Sequence, residues 1–88
     1  MPIRYSQAVL DKIIKLLDEA GYELRFEKGN FNSGFCILEH KKVVVVNKFL
    51  DLEGRINTLS DILSLLKIDP NMLSAESRKL YEQAIKEL

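Results

Sequence analysis

Four consecutive valines, Val43-Val44-Val45-Val46, limit this chain more than any other feature. Branching at Cβ leaves each valine stiff about χ1, a poor fit to a helix and a good one to a pleated strand. Successive side chains of a strand point to opposite faces, so two valines fall on each side. A strand apolar on both faces belongs at the centre of a sheet or under cover on both sides. A second apolar run, Phe35–Leu38, precedes it across Glu39-His40-Lys41-Lys42, which is a hairpin signal. Residues 34–66 therefore read as strand, turn, strand, short link and helix, and the rest of the chain is packing for that unit.

The packing elements follow from periodicity and caps. Ser6 precedes apolar residues at helical spacing (Val9, Leu10, Ile13, Ile14, Leu16, Leu17, Ala20), and Gly21 follows them. A hydroxyl that caps free N–H groups and a glycine that takes the left-handed conformation bound a helix at 7–20. Tyr5 and Leu10 hold the hydrophobic-staple positions of that helix. Residues 22–27 alternate, with Tyr22, Leu24 and Phe26 facing one way and Glu23, Arg25 and Glu27 the other, a strand with one solvated face. The turn formers of 28–34 make a loop. Phe31 within it either anchors the loop on the core or stands out as an aromatic contact; the anchor is favoured.

Asp51 is placed to cap a helix at 52–67, with Ile56, Leu59, Leu63 and Leu66 as its apolar stripe, widened by Ile62 and Leu65. Ser60, Asp61 and Ser64 read as a solvated face of that helix. Asp69-Pro70-Asn71 turns the chain, and Ser74 caps a third helix at 75–87 with Leu80, Tyr81, Ala84, Ile85 and Leu88 inward. The expected architecture is α+β in the order α-β-β-β-α-α: one domain over residues 1–88, with an at least partly antiparallel sheet of about three strands. Helices are expected to cover one face of that sheet and leave part of the other accessible.

Val43-Val44-Val45-Val46-Asn47, followed by Leu50, Glu53 and Thr58-Leu59, resembles the segment that leads into the catalytic helix of the ImmA/IrrE family of zinc metallopeptidases. There a hairpin ends in Asn, and a helix carrying Thr-Leu-Ala-His-Glu-Leu-Gly-His follows. The register holds without a gap from Val43 to Leu65, about a third of the chain. The stretch is also similar to small bacterial proteins built as Cys-containing strand, turn, Val/Ile strand ending in Asn, then helix. The metallopeptidase resemblance implies two His ligands at i and i+4 for one Zn²⁺, with Glu between them as general base. Asp61, Ile62 and Leu65 stand in those three places, so the ligand set is missing. The resemblance then implies a shortened, metal-free relative of the zincin scaffold.

The other chemistry-bearing residues do not assemble into a site in the sequence. Cys36 and His40 are the only thiol and imidazole. On an extended strand they share a face but sit roughly 13 Å apart. Cys36 reads best as a small core hydrophobe and His40 as a turn residue tolerating an unusual backbone angle. Gly29 and Gly34 have the wrong spacing for a phosphate loop. No catalytic set, cofactor motif or metal site is expected. Basic and acidic residues balance at 13 each, which disfavours nucleic acid as a partner; the densest basic patch is His40, Lys41, Lys42 and Lys48. No apolar run reaches the ~18 residues of a membrane span. A lone cysteine and a start without a signal-peptide core suit the cytoplasm. The expectation is a non-catalytic interaction or structural module, with a protein partner or a homo-oligomer, and with Phe31, Cys36, His40 and Lys42 as its candidate surface. The alternative is a cryptic enzyme or small-ligand binder using Cys36 with the loop at 30–33 (Asn30, Phe31, Asn32, Ser33).

Overall fold

A computed structural model describes residues 5–28 and 35–86. Helix α1 (Gln7–Glu19) begins at Ser6, whose side chain accepts from the Val9 N–H at 3.3 Å. It ends in a complete Schellman turn: Gly21 takes φ +86°, its N–H donates to the Asp18 carbonyl, and the Tyr22 N–H donates to that of Leu17. Tyr5 is exposed, and its hydroxyl donates to Asn57 Oδ1 at 2.8 Å, tying the chain ahead of α1 to a distant helix.

The chain then enters strand β1 (Glu23–Glu27), and continues in β2 (Phe35–Leu38) and β3 (Val43–Asn47). The strands lie in the order β1-β3-β2, so the valine strand is central, as its two apolar faces require. It pairs parallel with β1 and antiparallel with β2, giving a mixed sheet. The β2–β3 connection is a single 3-10 turn (Glu39–Lys41) followed by Lys42 at φ +53°. The unusual backbone angle expected at His40 thus falls on Lys42, because the residue after the tight turn must redirect the chain into β3. The Lys42 carbonyl accepts from the Glu23 N–H and the Glu27 carbonyl from the Lys48 N–H, bracketing the β1–β3 ladder at both ends.

Helix α2 (Leu52–Leu65) is capped as expected, Asp51 accepting from the Gly54 N–H at 2.7 Å. Asp69 and Pro70 open a short 3-10 turn (Pro70–Met72), and Ser74 accepts from the Ser77 N–H to start α3 (Ala75–Lys86). The fold is α+β, with the three helices on one side of the three-stranded sheet. One core joins them: Leu10, Ile13, Leu16 and Leu17 of α1, Ile56, Leu59, Ile62 and Leu63 of α2, Tyr81 and Ala84 of α3, and Val44 and Val46 of β3.

Two inward expectations and one outward one are corrected. Leu65 is 57% exposed, because it stands about 100° round the helix from Leu66, which shares the buried stripe with Ile62 and Leu63. Ile85 is 42% exposed. Ser60 is buried rather than solvated: it lies four residues after Ile56 and three before Leu63, so helical position overrides its polarity. Leu88 lies outside the described residues.

The ends of α1 and α3 are joined by a buttress absent from either helix's own pattern. Glu19 Oε1 accepts from the Ser74 N–H at 2.9 Å, and Lys15 lies 3.9 Å from its other oxygen. The Ser74 N–H is the largest cause holding the Glu19 carboxyl below its ordinary value; partial desolvation opposes it, and the Ser77 and Ser74 hydroxyls and Lys15 reinforce it. A carboxyl lowered in the folded state contributes stability that is present above its unfolded value and lost as pH falls through the folded one. Glu19→Gln is therefore expected to be less stable than wild type at neutral pH, with the gap closing under acid. Urea midpoints measured across the acid range check this, and parallel curves for the two proteins would show that the buttress is electrostatically idle.

Candidate interaction surface

The register of the sheet determines what each face carries. On the helix side, Leu24 lies beside Val44 and Val44 beside Ile37, then Phe26 beside Val46 and Val46 beside Phe35. Val44 and Val46 are fully buried there, and the other four pack against the core. The opposite face carries Glu23, Val43 and Leu38 in one row, Arg25, Val45 and Cys36 in the next, and Glu27 with Asn47 in the last. No described helix lies over it. Val43, Val45, Cys36 and Asn47 are half-buried there, and Leu38 is 37% exposed.

This face departs from the rule for a sheet with one wet side. A solvated face ordinarily carries polar residues at alternate positions. Strand β1 obeys, with Glu23, Arg25 and Glu27 exposed and Arg25 Nε 3.4 Å from a Glu23 carboxylate oxygen. Strands β3 and β2 do not: at the equivalent positions they present Val43, Val45, Cys36 and Leu38. The result is an apolar strip bordered on one side by charge.

Cys36 is thus not a core residue as its type suggests; the odd-even parity of β2 sends Phe35 and Ile37 inward and Cys36 outward. His40 and Lys41 are exposed on the 3-10 turn, and Lys42 is exposed with its Nζ 5.9 Å from the centre of the Tyr22 ring. Lys48 lies beyond the other end of β3, about 20 Å from Lys42 at strand rise, so the basic patch read from the sequence is split between two ends of the sheet. Phe31 and the loop at 30–33 lie outside the described residues, so the alternative site that joined them to Cys36 has one described member. Among the described residues the most exposed aromatic is Phe49, 68% exposed, with Lys48 Nζ 5.3 Å from its ring centre. The segment 48–50 reads as a plain link in the sequence and gives no hint of it.

That link is rigidly built. Asn47, where the resemblance places the Asn that ends the hairpin, accepts from the Phe49 N–H through Oδ1 at 3.0 Å, and its carbonyl accepts from the Leu50 N–H. Arg55 reaches back from α2 to donate to the Leu50 and Lys48 carbonyls at 3.0 and 2.9 Å, with its guanidinium carbon 4.6 Å from the centre of the Phe26 ring. Of the positions matching the zincin ligands, Asp61 and Leu65 are exposed while Ile62 is wholly buried.

A shallow groove of about 480 Å³ between α1 and β1 is lined by Ile14, Leu24, Asp11, Lys15, Asp18 and Glu23. Among the described residues, no three His, Cys, Asp or Glu gather where a metal could be held. No helix among them is long and apolar enough to cross a membrane. Comparison with known proteins finds no family model, no curated protein and no solved structure that matches this chain.

Proposed function

We propose that this chain is a non-catalytic module that binds protein through the helix-free face of its sheet. The observation that carries the reading is the apolar strip of Val43, Val45, Cys36 and Leu38, where alternation calls for polar residues. The strip is half-buried at Val43, Val45 and Cys36 and exposed at Leu38, and contiguous apolar surface bordered by charge is the usual character of a protein-binding patch. Asp61, Ile62 and Leu65, standing where zincin chemistry needs His, Glu and His, support a scaffold without that chemistry. The single thiol suits a reducing compartment such as the cytoplasm.

A photo-crosslinking side chain introduced in living cells tests this. At Val45 or Leu38 it is expected to form adducts of defined mass, while the same group at Asp61, on the exposed side of α2, forms none. Equal labelling from all three positions, or none from the sheet, would remove the proposal.

A further inference from the structure

We infer that the partner is a second copy of this chain, joined edge to edge through β2. The inference rests on the protein-binding reading above, names the partner, and places the contact at the β2 edge of the same sheet, where the face's Cys36 and Leu38 meet their symmetry mates. The sheet has two outer strands, and they are not alike. β1 carries Glu23, Arg25 and Glu27, the alternating charges with which edges are kept from pairing. β2 is Phe35-Cys36-Ile37-Leu38, with no charge, no proline and no glycine, and no further strand pairs with its outer side among the described residues. A charge-free strand can meet its own copy without setting like charges opposite one another. The formal net charge of zero removes long-range repulsion between copies.

Two identical strands meeting about a two-fold axis run antiparallel and form an isologous contact. Residues directly opposite in a ladder share a face, so two registers are possible: Cys36 against Cys36 of the second copy, or Ile37 against Ile37. Either one carries the strip of Val43, Val45, Cys36 and Leu38 across the axis into its symmetry mate. The strand order becomes β1-β3-β2-β2-β3-β1, and the charged β1 then stands at both outer edges. Growth stops at two copies because the only uncharged edge is consumed. Strands of four residues bury less than the roughly 1,200 Å² of a standard complex, so the dimer is a weak, reversible one.

Mass in solution, measured by sedimentation equilibrium from about 10 µM to about 1 mM, is expected to climb from one chain toward two and no further. Leu38→Lys and Cys36→Lys place a charge on the helix-free face of β2, where each would stand near its own copy across the axis, and each is expected to raise the midpoint by about tenfold or more with an unchanged circular dichroism spectrum. Glu27→Lys, on β1, is expected to leave it in place. If either β2 variant misfolds, mixed labelled and unlabelled wild-type chains supply the reading by NMR, with intermolecular contacts centred on residues 35–38. A monomer at every concentration, growth beyond two, a dimer indifferent to Leu38→Lys, or intermolecular contacts centred elsewhere overturns the inference. A purified monomer whose Val45 still crosslinks to another protein in cells removes the second copy and leaves the module reading standing; loss of both results removes both.

Discussion

Ile62→Glu is expected to leave the chain unfolded at neutral pH. This is the substitution that the metallopeptidase resemblance invites, since position 62 is where that family holds its general base. In this fold the side chain has no accessible surface and packs with Ile56, Leu59 and Leu63 in the core. Removing a buried isoleucine costs about 2–5 kcal/mol, and an unpaired buried carboxylate adds several kcal/mol more. A domain of 88 residues has roughly 4–13 kcal/mol in total. Loss of cooperative urea unfolding and of dispersed NMR resonances at pH 7 is the expected record. Protonation removes the charge, so structure should return in part as pH falls. Asp61→His with Leu65→His is the opposite case: both positions are exposed and one helical turn apart, so that pair should fold and its Tm should rise with added Zn²⁺. A natively folded Ile62→Glu protein at pH 7 would mean that α2 presents a different face to the core.

Arg55→Ala is expected to cost about 2–3 kcal/mol, the second largest effect. Its two hydrogen bonds from a charged donor reach the Leu50 and Lys48 carbonyls, and the guanidinium stacks on Phe26. Bonds of this kind contribute about 1.5–3 kcal/mol each when buried, less here because one is exposed, and the ring contact adds about 0.5–1 kcal/mol. Arg55→Lys should recover only a minor part, because one ammonium cannot serve both carbonyls and lie flat on the ring. Urea unfolding measures the loss; a change under about 1 kcal/mol would assign the β3–α2 link to Asn47 and Asp51 instead.

The elements of this fold were legible because each is written in adjacent residues. Ser6 and Gly21 bound α1, Asp51 and Ser74 open α2 and α3, and the valine strand announces its own centrality. What was not legible depends on partners far along the chain. The parallel pairing of β1 with β3 leaves no local mark, and the Glu19 carboxylate meets Ser74 across 55 positions. Arg55 looks like any helix-surface cation until Phe26 is placed beneath it. The candidate surface was partly readable for a related reason. Parity within β2 separates Cys36 from Phe35 and Ile37, but which parity faces inward depends on the register against β3, and residue type alone pointed the wrong way for Cys36. Ser60 shows the same limit, its polarity outweighed by its place between Ile56 and Leu63.

The placement of β3 also has a temporal side. The strand that lies in the middle of the sheet is the last of the three to be synthesised, and β1 and β2 touch it rather than each other. Until residue 47 has left the ribosome, a nascent chain holds two strands with nothing to pair with. α1 meanwhile offers Leu10, Ile13, Leu16 and Leu17 to a core that does not yet exist. Assembly must then proceed largely at once, from the local β2–β3 turn outward to the long-range β1 contact, which is the slower kind of closure. A chain stopped short of Val43 has no sheet to form, and its waiting apolar surface is what a chaperone would meet first.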